Sequence, residues 1–361
     1  MEIRFIKKSE WEQLRNFNAD QYRPDHILTN KQYYDWQFDN VFNEQKDSYT
    51  TLGLFSKGEL IGTFGMFTAP YNCFGRQVTA NCLANLIIKK DLRSLGYGYR
   101  LLERASNFND LAIDHTINQQ AWPMFIKSGW VGENLKRFIY IFNLEAMRKL
   151  IINDDTRQLS ASPTNPVIVR HWRWEPVEKF NENFDIFWEK VKNRYPITIK
   201  RSSQYLNWRY VDTNLMKYQI FAAVGSDGIS GFAVFRTENV YRDNQAIGVK
   251  IGRLVDFVAD AAAERFILGK VIEYGRQSGW DGLDYFFSGQ NRIESLEDLG
   301  FFDGDSAGYA SIPILFHPIS TKRMHLNFAI KLINPELTKQ PADKLYNWYT
   351  TKSDGDQDRP Y

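Results

Sequence analysis

Cysteine, net charge and long apolar runs are all scarce in this chain of 361 residues. The two cysteines, Cys73 and Cys82, are too few for a disulfide framework and indicate free thiols in a reducing compartment. Lysine and arginine exceed aspartate and glutamate by only 45 − 43 = 2, which disfavours nucleic acid as the main partner. No run of about 18 apolar residues occurs, and residues 1–9 lack the apolar segment of a secretory signal. These absences predict a soluble cytoplasmic protein that has no membrane partner.

Aromatic side chains, by contrast, make up 15% of the chain, which is enough apolar material for a large core. A typical domain has about 150 residues, so the length indicates two domains. The sequence has no cysteine–histidine spacing typical of zinc sites and no Gly-x-Ser-x-Gly elbow. It therefore predicts neither a metal centre nor a serine hydrolase.

Segments of the second half repeat segments of the first half in the same order. Residues 32–38, Gln-Tyr-Tyr-Asp-Trp-Gln-Phe, match residues 204–210, Gln-Tyr-Leu-Asn-Trp-Arg-Tyr, at an offset of 204 − 32 = 172. Gly62 matches Gly231 at 231 − 62 = 169, and Gly129 matches Gly300 at 300 − 129 = 171. Chance is the alternative, because aromatic residues and turn glycines are common. Three ordered matches at nearly one offset favour a duplication.

Strand-like and helix-like segments alternate in each half, which predicts an α/β (α+β) fold with two mixed-sheet units in tandem. We expect the first unit at residues 1–150, a linker at 151–166 and a second unit at 167–330. Residues 331–361 form a C-terminal extension. Its last eleven residues, 351–361, are polar and are predicted to be disordered.

A glycine-containing loop follows an apolar run in the first unit. It reads Arg93-Ser94-Leu95-Gly96-Tyr97-Gly98-Tyr99 and precedes a helix-like pattern. Glycines let successive backbone N–H groups turn toward one point, and a helix N-terminus adds the positive end of its dipole. Such a loop can hold a pyrophosphate, with Arg93 as a charged donor. An ordinary strand-to-helix turn is the alternative.

This loop and a second motif resemble those of the GNAT superfamily of acyl-CoA-dependent N-acyltransferases. The family loop reads Arg/Gln-x-x-Gly-x-Gly/Ala between the fourth strand and the third helix, as residues 93–98 do. The second motif, Asn-x-x-Ala…Tyr-x-Lys-x-Gly-Phe, is matched by residues 118–130, except that Phe125 replaces the tyrosine and Trp130 the phenylalanine. Both motifs lie in the first unit, and the second unit shares the architecture alone.

The resemblance implies that the first unit binds one coenzyme A (CoA) per chain. Loop N–H groups would hold the pyrophosphate, and the strand edge at residues 86–88 would pair with the pantetheine arm. The CoA-binding residues so implied are Leu86, Ile87, Ile88, Arg93, Ser94, Leu95, Gly96, Tyr97, Gly98, Tyr99, Asn118 and Phe125. At an offset of 264 − 93 = 171 the loop falls on residues 264–269, Glu-Arg-Phe-Ile-Leu-Gly, where the last glycine alone persists. We therefore expect no CoA in the second, degenerate unit.

The sequence leaves the proton-transfer groups open. Phe125 lacks the hydroxyl with which many family members protonate the leaving thiolate. Asp256, in an apolar strand of the second unit, is a candidate base if it faces the cleft between the units, where it would form a wall of the acceptor site. Its structural alternatives are an ion pair with Arg253 or Arg209 and a helix cap. His26, in a polar loop after the first helix, is the other candidate base, with a solvated surface histidine as the alternative.

Four side chains are candidate acceptor contacts. They could contact a sugar or phosphate, and ordinary polar loop ends are the alternative: Tyr22, Arg23, Tyr285 and Asn291. The tandem arrangement resembles bacterial N-acyltransferases of surface-polysaccharide (lipopolysaccharide O-antigen) biosynthesis. That resemblance implies transfer of an acetyl or 3-hydroxybutyryl group to a nucleotide-linked amino sugar such as a dTDP-3-amino-3,6-dideoxyhexose.

Two other functions stay open. Fem-like peptidyltransferases, which use aminoacyl-tRNA, share the architecture, although near-neutral charge and an intact loop favour CoA over tRNA. A protein that binds acyl-CoA without turnover is the third function, and Phe125 favours it. The oligomeric state is not predicted, and a monomer is compatible with each function.

Overall fold

The computed structural model describes residues 1–115, 117–152, 155, 157–163, 172–290, 293–320 and 324–359. The first half contains seven of the described strands and five of the described helices. The strands are β1 (Glu2–Lys7), β2 (Ser48–Ser56), β3 (Glu59–Cys73), β4 (Arg76–Ile88), β5 (Leu111–His115), β6 (Val131–Asn134) and β7 (Lys136–Ile141). The helices are α1 (Trp11–Gln21), α2 (Lys31–Phe38), α3 (Tyr97–Ser106), α4 (Trp122–Lys127) and α5 (Leu144–Arg148).

The second half repeats this order of elements, except that it has an added strand between its first two helices and no described counterpart of α5. Its described strands are β8 (Arg173–Pro176), β9 (Ile197–Ile199), β10 (Gln219–Gly225), β11 (Gly228–Arg242), β12 (Gln245–Ala259), β13 (Gly282–Phe287), β14 (Phe302–Asp303) and β15 (Asn327–Leu332). Its described helices are α6 (Glu182–Val191), α7 (Ser203–Leu206), α8 (Glu264–Gln277) and α9 (Ile293–Asp298).

The strands form two mixed sheets, which confirms the predicted fold class. Sheet A has the order β1-β2-β3-β4-β5-β15-β6, with β9 added to β3, and sheet B has the order β14-β7-β13-β12-β11-β10-β8. In each sheet one pair is parallel, β4 with β5 and β12 with β13. When sheet B is read from β8 to β14, its order corresponds to that of sheet A from β1 to β6, except for the added β9. The inner strand next to the last position comes from the other half in each sheet.

This exchange corrects the expected domain boundaries. Strand β7 comes from the first half but pairs with β13 in sheet B, whereas β15 comes from the second half and pairs with β5 in sheet A. The expected boundary between residues 330 and 331 therefore falls inside β15. Each sheet is complete only when the other half supplies its inner strand, so residues 1–150 and 167–330 mark the two sequence copies and not two independent sheets.

The repeated Gln-Tyr-x-x-Trp segments meet where the two halves contact each other. The indole N–H of Trp36 donates to the carbonyl of Trp208 at 2.9 Å, and the indole N–H of Trp208 donates to the carbonyl of Trp36 at 2.9 Å. The caps correspond as well, because Asn30 accepts from the third residue of α2 and Ser202 from the third residue of α7. This reciprocal pattern is what a local two-fold relation between duplicated units produces.

The predicted disorder of the C-terminal residues is wrong for residues 351–359. The side chains of Thr351, Ser353 and Asp354 are fully buried, and Asp358 is 1% exposed. The segment is ordered because buried arginines need its acceptors. Arg209, for example, donates to the backbone carbonyls of Ser353 and Asp358 at 2.7 and 3.0 Å.

The two cysteines and helix α3 agree with the sequence. Cys73 and Cys82 are buried free thiols. Helix α3 buries Leu101, Leu102 and Ala105 against sheet A, as their spacing predicts. Among the residues that the structure describes, no helix is both long enough and apolar enough to span a membrane.

Candidate functional site

Strands β4 and β5 part at the centre of sheet A. Their parallel pairing runs from Ala80 and Leu111 to Leu83 and Asp114 and stops there in the described chain. On its other edge β4 stays paired with β3 as far as Ile88. A β-bulge lies at this point, with Asn85 in the left-handed region at φ 62°. Residues 84–88, which include the predicted Leu86 and Ile87, thus have a strand edge that β5 does not cover.

The glycine loop begins directly after this open edge. Residues Lys90–Leu95 form a 3₁₀ turn, Gly96 adopts φ 76°, and α3 begins at Tyr97, as predicted. A Cβ atom on Gly96 would meet no atom within 4 Å, so the space in front of the loop is open. The Nε atom of Arg93 donates to the carbonyl of Ile88 at 3.0 Å and ties the loop to β4. Leu95 is 57% exposed.

The rest of the implied CoA loop lies in the first turn of α3. Gly98 approaches α4, since a Cβ there would lie 3.7 Å from the sulfur of Met124. Tyr99 is exposed and donates to Glu103 at 2.6 Å, and Ser94 is exposed. The structure thus places an exposed helix N-terminus beside the open edge of β4, which is an arrangement that can bind an anion.

The second motif positions α4 behind the parting strands. The side-chain oxygen of Asn118 accepts from the N–H of Ala121 at 2.8 Å and initiates the α4 turn. Phe125 is buried and packs edge-on against Trp130, with ring centroids 5.0 Å apart. Phe125 therefore fills the core behind the site and offers no proton.

In the second unit the corresponding gap, between β12 and β13, is filled by the C-terminal segment, residues 350–359. The N–H of Ser288, after β13, donates to the carbonyl of Thr350 at 2.9 Å, and the hydroxyl of Ser353 donates to the carbonyl of Val255 in β12 at 3.2 Å. Residues 264–269 lie in α8 instead of a loop. Both observations support the expectation that this unit holds no CoA.

The structure favours the structural alternative for Asp256 and not its role as a base. Its carboxylate is fully buried and forms an ion pair with Arg201, whose Nε atom lies 2.9 Å from Oδ2. Oδ2 also accepts from Tyr210 at 3.0 Å, and Oδ1 accepts from the N–H of Phe257 at 2.9 Å. The partner is thus Arg201, and not Arg253 or Arg209, and the acceptor positions are already occupied by internal donors.

His26 lies at the edge of the first unit, where its ring stacks on Tyr22 at 4.1 Å. Burial, together with the charges of Arg359 and Arg23, lowers the pKa of His26 to about 4. Its Nδ1 atom accepts from the N–H of Leu28 at 3.3 Å, so the neutral ring carries its proton on Nε2. His26 can donate from Nε2, but it is poorly arranged to accept a proton there.

The predicted acceptor contacts do not converge. Arg23 is exposed and forms an ion pair with Asp25 at 2.9 Å, beside the partly exposed Tyr22. Tyr285, however, is fully buried, and its hydroxyl lies 2.8 Å from that of Tyr349. It cannot touch a ligand from this position. Asn291 lies outside the described residues.

Residues 355–359 reach the parting strands of sheet A and were missed by the sequence reasoning. A Cβ atom on Gly355 would lie 2.8 Å from the ring of His115 at the end of β5, so glycine is needed for this close approach. Arg359 donates to Asn85 at 3.4 Å and to Asp356 at 3.1 Å. The polar composition of this segment predicted a solvated tail. The signal that could have found it is the set of arginines among apolar residues of the second half, Arg201, Arg209 and Arg236, which need acceptors.

Among the described residues, no group of three or more histidine, cysteine, aspartate or glutamate side chains could hold a metal ion.

No protein-family model matches the sequence, and no curated protein is similar to it in sequence. Solved structures do share its fold. A GCN5-related N-acetyltransferase from Anabaena variabilis aligns with a TM-score of 0.59 and 13% identity over 92% of this chain and 73% of its own. Saccharomyces cerevisiae N-myristoyltransferase with bound myristoyl-CoA aligns with a TM-score of 0.55 and 12% identity over 92% and 78%. A GCN5-related N-acetyltransferase from Kribbella flavida gives 0.57 and 12% over 93% and 73%. The chain therefore has the fold of these acyltransferases.

Proposed function

We propose that the protein is an acyl-CoA-dependent N-acyltransferase with one CoA site, in its first unit. The observation that carries the proposal is the open edge of β4 after Leu83, which leads directly into the exposed loop at Gly96 and the N-terminus of α3. An extended pantetheine arm can pair with such an edge, and a pyrophosphate can bind at such a helix N-terminus. The shared fold with CoA-binding acyltransferases supports this assignment.

The reaction proposed is direct attack of an amine on the thioester carbonyl. The ladder between β3 and β4 is irregular at the bulge around Asn85, and we expect backbone N–H groups there to stabilise the oxyanion. Cleavage of the C–S bond then releases CoA, whose thiol is an acceptable leaving group because thiols have a pKa of about 8.5. No covalent enzyme intermediate is required.

For the acceptor we propose the amine of a nucleotide-linked amino sugar, such as a dTDP-3-amino-3,6-dideoxyhexose, with an acetyl or 3-hydroxybutyryl donor. This finer assignment rests on the resemblance of the sequence to bacterial enzymes of surface-polysaccharide biosynthesis, whose substrates occur in the cytoplasm. The exposed Arg23 and Tyr22, beside the charge of Arg359, offer the cationic and aromatic contacts that a nucleotide needs. Asn291 stays a proposed contact.

Two substitutions in the loop should weaken CoA binding, which calorimetric titration with acetyl-CoA and 3-hydroxybutyryl-CoA measures. We expect the native protein to bind one CoA per chain with a dissociation constant in about the micromolar range. Arg93→Glu and Gly96→Asp each place a negative charge where the pyrophosphate would lie and should weaken binding roughly tenfold or more.

Gly58→Asp is the matched control. Gly58 has φ 83° and open space like Gly96, but it lies in the β2–β3 turn. The Gly58→Asp variant has the same backbone strain and the same added charge as Gly96→Asp. Because its substitution lies outside the loop, we expect this variant to bind CoA normally. If the native protein bound neither acyl-CoA, or if Gly58→Asp weakened binding as much as Gly96→Asp, the assigned site would be wrong.

A turnover assay, run beside the titration, distinguishes the alternative functions. Release of free CoA thiol with a dTDP-amino sugar excludes a protein that only binds acyl-CoA. Acyl transfer with acyl-CoA as the one donor excludes a Fem-like dependence on aminoacyl-tRNA. Absence of any CoA binding would direct the search to aminoacyl-tRNA donors.

A further inference from the structure

Asp114 lies at the point where β4 and β5 part. It is the last residue of β5 that pairs with β4, opposite Leu83, and it also pairs with Ala329 of β15. Neighbours in register point to the same face of a sheet. Leu83 and Ala329 belong to the apolar cluster that contains Phe125. Asp114 thus faces the side of sheet A on which α4 and Phe125 lie, at the closed end of the gap.

The Asp114 carboxyl has little internal support. Its residue is 6% exposed, and within the described chain the hydrogen bond to its carboxyl comes from the backbone N–H of His115. Asp256, which is also buried, in the second unit, has an arginine and three further donors. A buried carboxyl without a cationic partner is rare in a protein core unless it has a task.

The surroundings disfavour the charged form of this carboxyl. Burial, and then the charge of Asp356 in the C-terminal segment, raises the pKa of Asp114 well above its usual range. Asp356 itself forms an ion pair with Arg359, which also bonds Asn85 at the bulge. The C-terminal segment therefore brings the charge of Asp356 close enough to raise the pKa of Asp114 at the end of the open edge.

We propose that Asp114 is the general acid of the acyl transfer and supplies the proton that a tyrosine supplies in family members where this chain has Phe125. The proposal rests on the proposed N-acyltransferase function. It assigns the acid to a residue of β5 that faces the side of sheet A on which Phe125 lies. Asp356 acts through Asp114 and is a positioning residue.

The proton balance closes at the Asp114 carboxyl. The N–C bond forms as the amine attacks, and the C–S bond breaks as the tetrahedral intermediate collapses. The departing sulfur takes the proton of the Asp114 carboxyl and leaves as the CoA thiol. The attacking nitrogen loses one proton, which returns the Asp114 carboxylate to its neutral form. The products are an amide and CoA thiol, and the enzyme is regenerated.

The test compares Asp114→Asn with the native protein. Asparagine keeps the shape of the side chain but has no acidic proton, so kcat for CoA thiol release should fall about 100-fold, while calorimetry shows unchanged acyl-CoA binding. Glu133→Gln is the matched control, because Glu133 on β6 is a half-buried carboxyl whose pKa burial raises, but it lies away from the parting strands. It should keep native kcat.

The pH profile separates an acid from a structural residue. An acid must be protonated, so native kcat should decline as the pH rises through the raised pKa of Asp114, and Asp114→Asn should lack this decline. Removing the charge that raises this pKa, with Asp356→Asn, should move the decline to lower pH. Among the described residues, the other charged or titratable groups near this position are Arg359 in the C-terminal segment, His115 on β5 and Lys331 on β15, and these are unchanged in both variants.

Each failure has its own signature. If the native protein binds no CoA and releases no thiol, the proposed function itself fails. If native turnover is present but Asp114→Asn keeps native kcat, or loses activity with an unchanged alkaline decline, Asp114 is not the acid. Should Asp114→Asn fail to fold, Asp356→Asn decides, because an unshifted decline in that variant contradicts the proposal.

Discussion

Replacing Arg201 with leucine is expected to lower the free energy of unfolding by about 3–5 kcal/mol. Arg201 is fully buried and forms ion pairs with two fully buried carboxylates, Asp256 of β12 at 2.9 Å and Asp354 of the C-terminal segment at 2.8 Å. Its loss leaves both carboxylates in the core without a cation. The large effect is the free energy of keeping two uncompensated charges out of water, and not the attraction of one pair.

Denaturant unfolding followed by fluorescence measures this change. Arg148→Leu is the control, since Arg148 pairs with Glu145 on the surface and such pairs contribute about 0–1 kcal/mol. Adding Asp256→Asn and Asp354→Asn to Arg201→Leu should recover part of the loss, because the charges that lack a partner are then removed. A single variant as stable as the surface control would contradict the buried network.

Replacing Trp208 with alanine is expected to lower the free energy of unfolding by about 3–5 kcal/mol through loss of apolar contact and a residual cavity. Trp208 is 3% exposed and packs on Trp36, Tyr205 and Phe67, with ring centroids 5.4–5.7 Å apart. Its indole N–H also holds the carbonyl of Trp36. The substitution therefore weakens the contact between the two halves and not one half alone.

A double-mutant cycle with Trp36→Ala isolates that contact. Because the two rings are in contact and share reciprocal hydrogen bonds, we expect a coupling energy of about 0.5–3 kcal/mol. Trp208→Phe, which keeps a ring but removes the donor, should fall between the native protein and Trp208→Ala. Additive losses for the two alanine variants would show that the tryptophans do not stabilise each other.

The sequence predicted the features that depend on local chemistry. The glycine loop, its helix and the repeat could be seen because glycine conformation and aromatic spacing leave marks within a few residues. The strand exchange could not, since β7 and β15 are both short apolar strands that fit the inner position of either sheet. Asp114 was not predicted either. The sequence of an apolar strand does not show whether a charged residue within it forms an ion pair with an arginine.

The C-terminal segment illustrates the limit most clearly. Its polar residues predict a solvated tail, because composition shows only how much apolar surface a segment can bury. Composition does not show whether buried arginines elsewhere need the segment as a source of acceptors. Arg201, Arg209 and Arg236 lie far away in sequence, and each binds this segment. Its order therefore depends on long-range ion pairs that no local window contains.

The strand exchange also constrains how the chain can be made. During synthesis the first half emerges with the inner edge of β5 unpaired, and the strand that covers it, β15, is not complete until residue 332 has left the ribosome. Long-range pairing of this kind folds slowly and exposes a sheet edge meanwhile. The exchange of β7 and β15 has the topology of a strand-swapped dimer whose two chains are joined by a linker. A gene for half of this protein would thus yield a chain that needs a second copy of itself to close its sheet.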